Sequence, residues 1–206
     1  MSVEEIIAVI VSVLGVWLTT RRSLWNYPFA LTSVALYAHI FFGVKLYADM
    51  ALQGIFAATL LYGLYQWERS RRATGSVAVA RASRNEILVG VLGGTAVAFV
   101  IGALLAAHTD ASIPWLDSAL LAASLVGSVS ASRRHIESWW IWIVVDTIYV
   151  GVYFYKALYL TAGLYAAFVL LAVLGLRRWK SVYATQSSPA AAGAIEGQAP
   201  YAAAAP

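Results

Sequence analysis

Cysteine is absent from the 206-residue chain. That excludes disulfides, thiolate metal sites and thiol nucleophiles, and it says nothing about compartment. Charge is scarce as well: 12% of residues are charged, against 61% hydrophobic, and the mean hydropathy is +0.74. So little charge cannot cover the surface of a soluble domain of this size, and the apolar residues fall in runs long enough to span a bilayer. Histidine occurs three times, at His39, His108 and His135, in separate segments with no His-Glu-x-x-His or Gly-x-Ser-x-Gly pattern. No metal, cofactor or catalytic constellation is expected, and no nucleic-acid partner. A retinal-binding bundle would need a lysine within its last helix, and Leu158 to Leu176 holds none. No Lys or Arg precedes the first apolar run, so that run reads as a permanent span and not a cleaved signal.

What is present predicts an all-α membrane protein of seven spans: Ile6–Thr20, Trp25–Phe42, Leu46–Trp67, Ile87–Ala107, Leu116–Ala131, Glu137–Tyr155 and Leu158–Leu176. A polar connector, Glu68 to Glu86, separates the third and fourth. The fourth carries Gly90, Gly93, Gly94 and Gly102, small residues that suit close helix packing. Pro28 falls inside the second span, where a kink is expected. The Ala- and Ser-rich tail from Ser181 reads as disordered. Twelve of the fourteen Lys and Arg residues lie in Arg21-Arg22, the connector, Arg133-Arg134 and the end of the seventh span. Positive residues gather on the cytoplasmic side, so the N-terminus is expected outside and the C-terminus inside.

Laid on itself with an offset of 112 residues, the chain repeats many identities. They include Gly15 with Gly127, Arg21-Arg22 with Arg133-Arg134, Tyr37 with Tyr149, Leu46-Tyr47 with Leu158-Tyr159, Gly63 with Gly175 and Trp67 with Trp179. About a dozen identities arise, where so narrow a composition gives roughly four or five by chance. The expected architecture is a 3+1+3 parallel repeat: a first three-helix unit (1–68), a basic connector plus linking helix (69–115), a second unit (116–180) and a tail (181–206). Parallel repeats of this kind place a substrate at the interface of the units, as in SWEET-like transporters.

The sixth span supplies the sharpest chemical signal. Trp139, Trp142, Asp146, Tyr149 and Tyr153 fall on one helical stripe, with a carboxylate near mid-membrane between aromatic rings. A charge there costs several kcal/mol unless it faces protein or water, so it marks a site, against the reading of a packed structural acid. A scaffold protein would account for the spans and not for that acid. Tyr62, Tyr65, Trp67 and Trp179 read as interfacial belt residues, and Trp140 as an interface residue off the stripe.

The Trp139-x-x-Trp142-x-x-x-Asp146 element joins Asn26-Tyr27-Pro28-Phe29 in the second span and Leu46-Tyr47-Ala48-Asp49-x-x-Leu52-Gln53-x-x-Phe56 in the third. With Leu158-Tyr159-Leu160-Thr161-Ala162-Gly163-Leu164-Tyr165 in the seventh, it resembles the PnuC family of bacterial vitamin transporters. The resemblance runs from the first span to Trp179, outside the connector and tail. It implies a SWEET-like fold in the cytoplasmic (inner) membrane, commonly as a homotrimer, and facilitated diffusion of nicotinamide riboside trapped inside by a cytoplasmic kinase. It carries Trp139, Trp142, Asp146 and Gln53 over as substrate contacts. Nicotinamide riboside transporters often have Asn where this chain has Asp146, and relatives carry thiamine or riboflavin, so thiamine stays open as the alternative cargo. A carboxylate beside aromatic faces suits a flat cationic ring, which nicotinamide riboside and thiamine have and riboflavin lacks. The carboxamide of nicotinamide matches the donor and acceptor of Gln53, although Gln53 also reads as a helix–helix hydrogen-bonding residue. Tyr149, Thr161 and Tyr165 are further substrate-binding candidates, Tyr37 a gating partner of Tyr149, and Pro28 a hinge. Asn26 is balanced between substrate contact and helix cap.

Overall fold

The computed structural model describes residues 3–43, 45, 47–110 and 112–187. These form seven helices: α1 (Val3–Thr20), α2 (Asn26–Gly43), α3 (Tyr47–Thr74), α4 (Arg84–His108), α5 (Pro114–Ser132), α6 (Glu137–Tyr155) and α7 (Tyr159–Gln186). In a chain this apolar, helices satisfy the backbone within each segment, which is what a bilayer demands. Three of them, α4, α5 and α7, are long and apolar enough to cross a membrane by length and composition alone. Others, such as α2 and α6, are diluted by polar residues that turn inward, among them Asn26, Ser33, Ser138 and Asp146, all buried.

Local signals set several boundaries. Ser83 and Glu86 form a reciprocal capping box at the start of α4, and Pro114 opens α5, where an amide has no intrahelical partner anyway. Pro28 sits in the first turn of α2 for the same reason. There it removes no helix hydrogen bond, so the expected kink loses its cause. The expected disorder from Ser181 is corrected in part: α7 runs on to Gln186, and residues 188–206 lie outside those described.

Packing closes six helices into a ring. α1 packs on α2, α2 on α3, α3 on α5, α5 on α6, α6 on α7, and α7 back on α1, while α4 lies against α5 outside the ring. Gly90 and Gly94 of α4 face Val126, and Gly102 faces Trp115 and Ser118 of α5, whereas Gly93 has open space. The far face of α4 exposes Leu88, Val89, Leu92, Phe99 and Val100, a surface suited to lipid.

The same contacts occur twice in the ring, 112 residues apart. Trp67 Nε1 donates to the Ala131 carbonyl, and Trp179 Nε1 to the Thr19 carbonyl. Tyr27 meets Trp67 edge-on at 5.5 Å and 88°, and Trp139 meets Trp179 at 5.3 Å and 89°. All four non-glycine residues with left-handed backbone, among those described, pair off at this spacing: Arg22 (φ 57°) with Arg134 (66°), and Lys45 (61°) with Ala157 (58°). Each allows a helix pair to reverse within a short turn, at a steric cost of about 1–2 kcal/mol.

Trp67 and Trp179 are 1% and 0% exposed, so the expectation that they are belt residues is wrong. Their indoles are core, in contact with each other at 5.8 Å, while Tyr65 and Trp140 are exposed as a belt requires. At the connector end the chain adds one short β-bridge, Ala80 with His135. Burial holds the His135 imidazole below its ordinary range despite nearby Glu86 and Glu137, and its Nε2 lies 3.7 Å from Glu86.

Glycines in this fold range from tightly packed to open. A methyl group on Gly175 would lie 2.6 Å from the Trp139 ring, whereas one on Gly151 meets nothing within 4 Å. Gly175→Ala is therefore expected to cost about 1–3 kcal/mol of overpacking. Gly151→Ala gains up to about 1 kcal/mol of helix propensity. Thermal unfolding in detergent of both variants beside the parent checks the pair; equal midpoints would contradict the packing described.

Candidate functional site

The ring encloses a cavity of about 360 Å³, and every ring helix contributes to its wall while α4 contributes nothing. That volume is in the range of small-molecule sites. The wall is largely apolar, with a few polar groups placed in it. α6 supplies the chemistry: Trp139, Trp142 and Asp146 all line the cavity, as their shared stripe requires. The three span seven residues of helix, about 10 Å of rise, so the acid stands two turns in from the connector end.

Asp146 is 5% exposed, and none of the ion pairs among the described residues involves it. Trp139 is 3% exposed, and its Nε1 is a buried donor with no acceptor among the described groups. Its ring is fixed by the edge contact with Trp179 and by the cleft over Gly175. α6 thus carries a carboxyl without a counter-charge and a buried indole N–H without an acceptor.

The opposite wall is built from α1 and α2. Asn26 is 3% exposed, lines the cavity and is the first helical residue of α2. Ser12 and Ser33 bond to each other at 2.7 Å in the wall. Counterparts at the 112-residue spacing face each other across the space: Tyr27 and Trp139, Ala30 and Trp142, Val34 and Asp146. The chemistry is thus one-sided, with indoles and acid on α6 and small or hydroxyl-bearing groups on α2.

α7 and α3 complete the wall with Tyr165, Phe168 and Phe56. Of the remaining sequence candidates, Tyr149 stands behind Tyr165 at 4.8 Å and not in the wall, in a cluster with Tyr153. Gln53, Thr161, Tyr37 and Pro28 are outside the wall, and Tyr37 stacks on Phe41 at 6.0 Å. The side chain of Asp49 lies outside the described set. Sequence reading missed Tyr27, Ser33 and Ser12 as wall residues. Tyr27 could have been found, since it falls 112 residues before Trp139.

A family model described as nicotinamide mononucleotide transporter covers residues 2–181. The chain is 28% identical over 182 residues to the riboflavin/roseoflavin transporter RibM of Streptomyces davaonensis, across 85% of this chain and 84% of that one. It is 26% identical over 200 residues to the nicotinamide riboside transporter PnuC of Escherichia coli, again across 85% and 84%. Among solved structures, the crystal structure of the vitamin B3 transporter PnuC superposes with a TM-score of 0.69 at 24% identity, covering 88% of this chain and 82% of that one, a likeness of fold. Multiple apolar helices, an internal cavity and a match over nearly the whole helical region agree: the chain belongs to the nicotinamide mononucleotide transporter family of membrane transporters.

Proposed function

We propose that the protein carries nicotinamide riboside across the bacterial inner membrane by facilitated diffusion, binding it in the central cavity against α6. The observation that carries this reading is the Asp146 carboxyl, buried without a counter-charge and in line with Trp139 and Trp142 in one cavity wall. A flat cationic ring satisfies both at once: its charge pairs with the carboxylate and its face stacks on indole. The ribose then faces the polar wall of Asn26, with its carboxamide, and Ser33, with its hydroxyl, and Tyr165 closes the end away from the connector. Gln53, Thr161 and Tyr149 stand outside the wall and act, on this reading, behind it.

The twin contacts support a 3+1+3 architecture, with α1–α3 and α5–α7 as equivalent units, α4 as the link and the cavity on the axis between them. The gathering of Lys and Arg at the connector end supports an outside N-terminus and an inside C-terminus. Assembly as a homotrimer and trapping of the cargo by a cytoplasmic kinase belong to the same reading.

Thiamine, also a flat cation, fits the same pair of interactions and is the nearest alternative. Riboflavin is favoured by the similarity to RibM. It is disfavoured by a neutral ring that leaves Asp146 unpaired.

Calorimetric titration of the purified protein with nicotinamide riboside, thiamine and riboflavin separates the three. Nicotinamide riboside is expected to bind. Trp142→Ala should lower its affinity by about 10- to 100-fold and Asp146→Ala by about 10-fold, corresponding to about 1–3 kcal/mol. Binding of thiamine alone would move the cargo assignment, and binding of none would sink the site. Uptake into liposomes should proceed without a proton or sodium gradient; a clear dependence on either contradicts facilitated diffusion.

A further inference from the structure

The connector between α3 and α4 is more than a link. Between Gly75, a left-handed glycine (φ 74°) just past α3, and the Ser83 capping box, the segment 76–82 crosses the connector end of the ring. Val77 and Val79 alternate inward and are buried in the same cluster as Tyr27, Trp67, Trp139 and Trp179. Of these, Tyr27, Trp67 and Trp139 line the cavity at its connector end, so the two valines cover it from outside.

The segment is tied to both halves of the ring. Arg22, in the α1–α2 turn, donates through Nη1 to the Val77 carbonyl at 2.5 Å. The Ala78 amide donates to Ser70 Oγ of α3, and the Val79 amide to Gln186 Oε1 of α7. Ala80 bridges the α5–α6 turn: its amide donates to the Arg134 carbonyl, and its carbonyl accepts from the Ile136 amide, both at 3.0 Å. The Ala82 amide ends the series on Glu137 Oε2 of α6. Few of these bonds lie inside regular structure, and such contacts open at lower free energy than the helices they join.

We propose that this segment is a latch for the connector-end gate. Bound, it holds the α1–α2 and α5–α6 turns together and shuts the cavity. Released about Gly75, it lets the two turns part so that cargo passes. The proposal rests on the transport reading, because a latch matters only if the cavity discharges there.

The absence of cysteine makes a direct test available. Ala80→Cys and His135→Cys place thiols on the two bridged positions, in reach of a disulfide. Oxidation of the double variant in proteoliposomes with copper phenanthroline is expected to abolish nicotinamide riboside flux, and dithiothreitol to restore it. Each single variant should be indifferent to both reagents. Flux that survives a complete cross-link, or thiols that never link because the segment is not seated, overturns the latch. If the reduced protein neither binds nor carries nicotinamide riboside, thiamine or riboflavin, the transport reading has failed instead. The unmodified protein gives a second readout: the Ala80 and Ile136 amides should exchange with deuterium several-fold faster with nicotinamide riboside on both sides of the bilayer. Equal exchange with and without it also overturns the proposal.

Discussion

Two indole N–H groups hold the ring closed. Trp67 on α3 donates to the Ala131 carbonyl in the last turn of α5, and Trp179 on α7 to the Thr19 carbonyl in the last turn of α1. These are the α3–α5 and α7–α1 junctions, where the chain does not run directly from one helix of the ring to the next. A buried indole N–H is costly without an acceptor, and here the acceptors are carbonyls in the last turns of α5 and α1. Each carbonyl also accepts a backbone amide, from Arg134 and Arg22 respectively, so each indole bond is a second bond to that oxygen and ties two helices that are not consecutive in the chain. Everything inside the ring depends on it, because Trp139 and Tyr27, which shape the cavity floor, are packed edge-on against these same two indoles.

The halves share a frame and differ in the groups that the frame carries. Where α2 presents Tyr27, Ala30 and Val34 to the cavity, α6 presents Trp139, Trp142 and Asp146. One wall thus offers indoles and an acid, and the other a phenol and small apolar groups. The glycines follow the same logic. Gly63 gives way to the Tyr27 hydroxyl and Gly175 to the larger Trp139 ring, so the frame tolerates either ring at that place.

Much of this was legible in the sequence, for identifiable reasons. The helices follow from apolar length, and the Trp139–Trp142–Asp146 wall follows from helical spacing because α6 is regular throughout. The 112-residue register survives into contacts because matched Arg, Gly and Trp residues hold turns and close approaches that few other residues could. What misled was depth. Trp67 and Trp179 near basic helix ends look like belt residues, and only tertiary packing turns them inward. Gln53 and Thr161 lie on stripes that face the interior, but the cavity stops short of them. The connector was read by its arginines, although Val77-Ala78-Val79-Ala80 carries the period-two alternation of a half-buried strand.

That alternation links floor and exterior. Val77 and Val79 press on the cluster whose other side is the cavity floor, so a change in how Trp139 sits is felt by Trp179 and then by the connector. Trp139 and the connector are thus joined through one set of packed rings. Tightly packed interiors shift between discrete arrangements more readily than they deform smoothly. A floor made of rings, held by two indole hydrogen bonds and backed by two valines, is packed in that way.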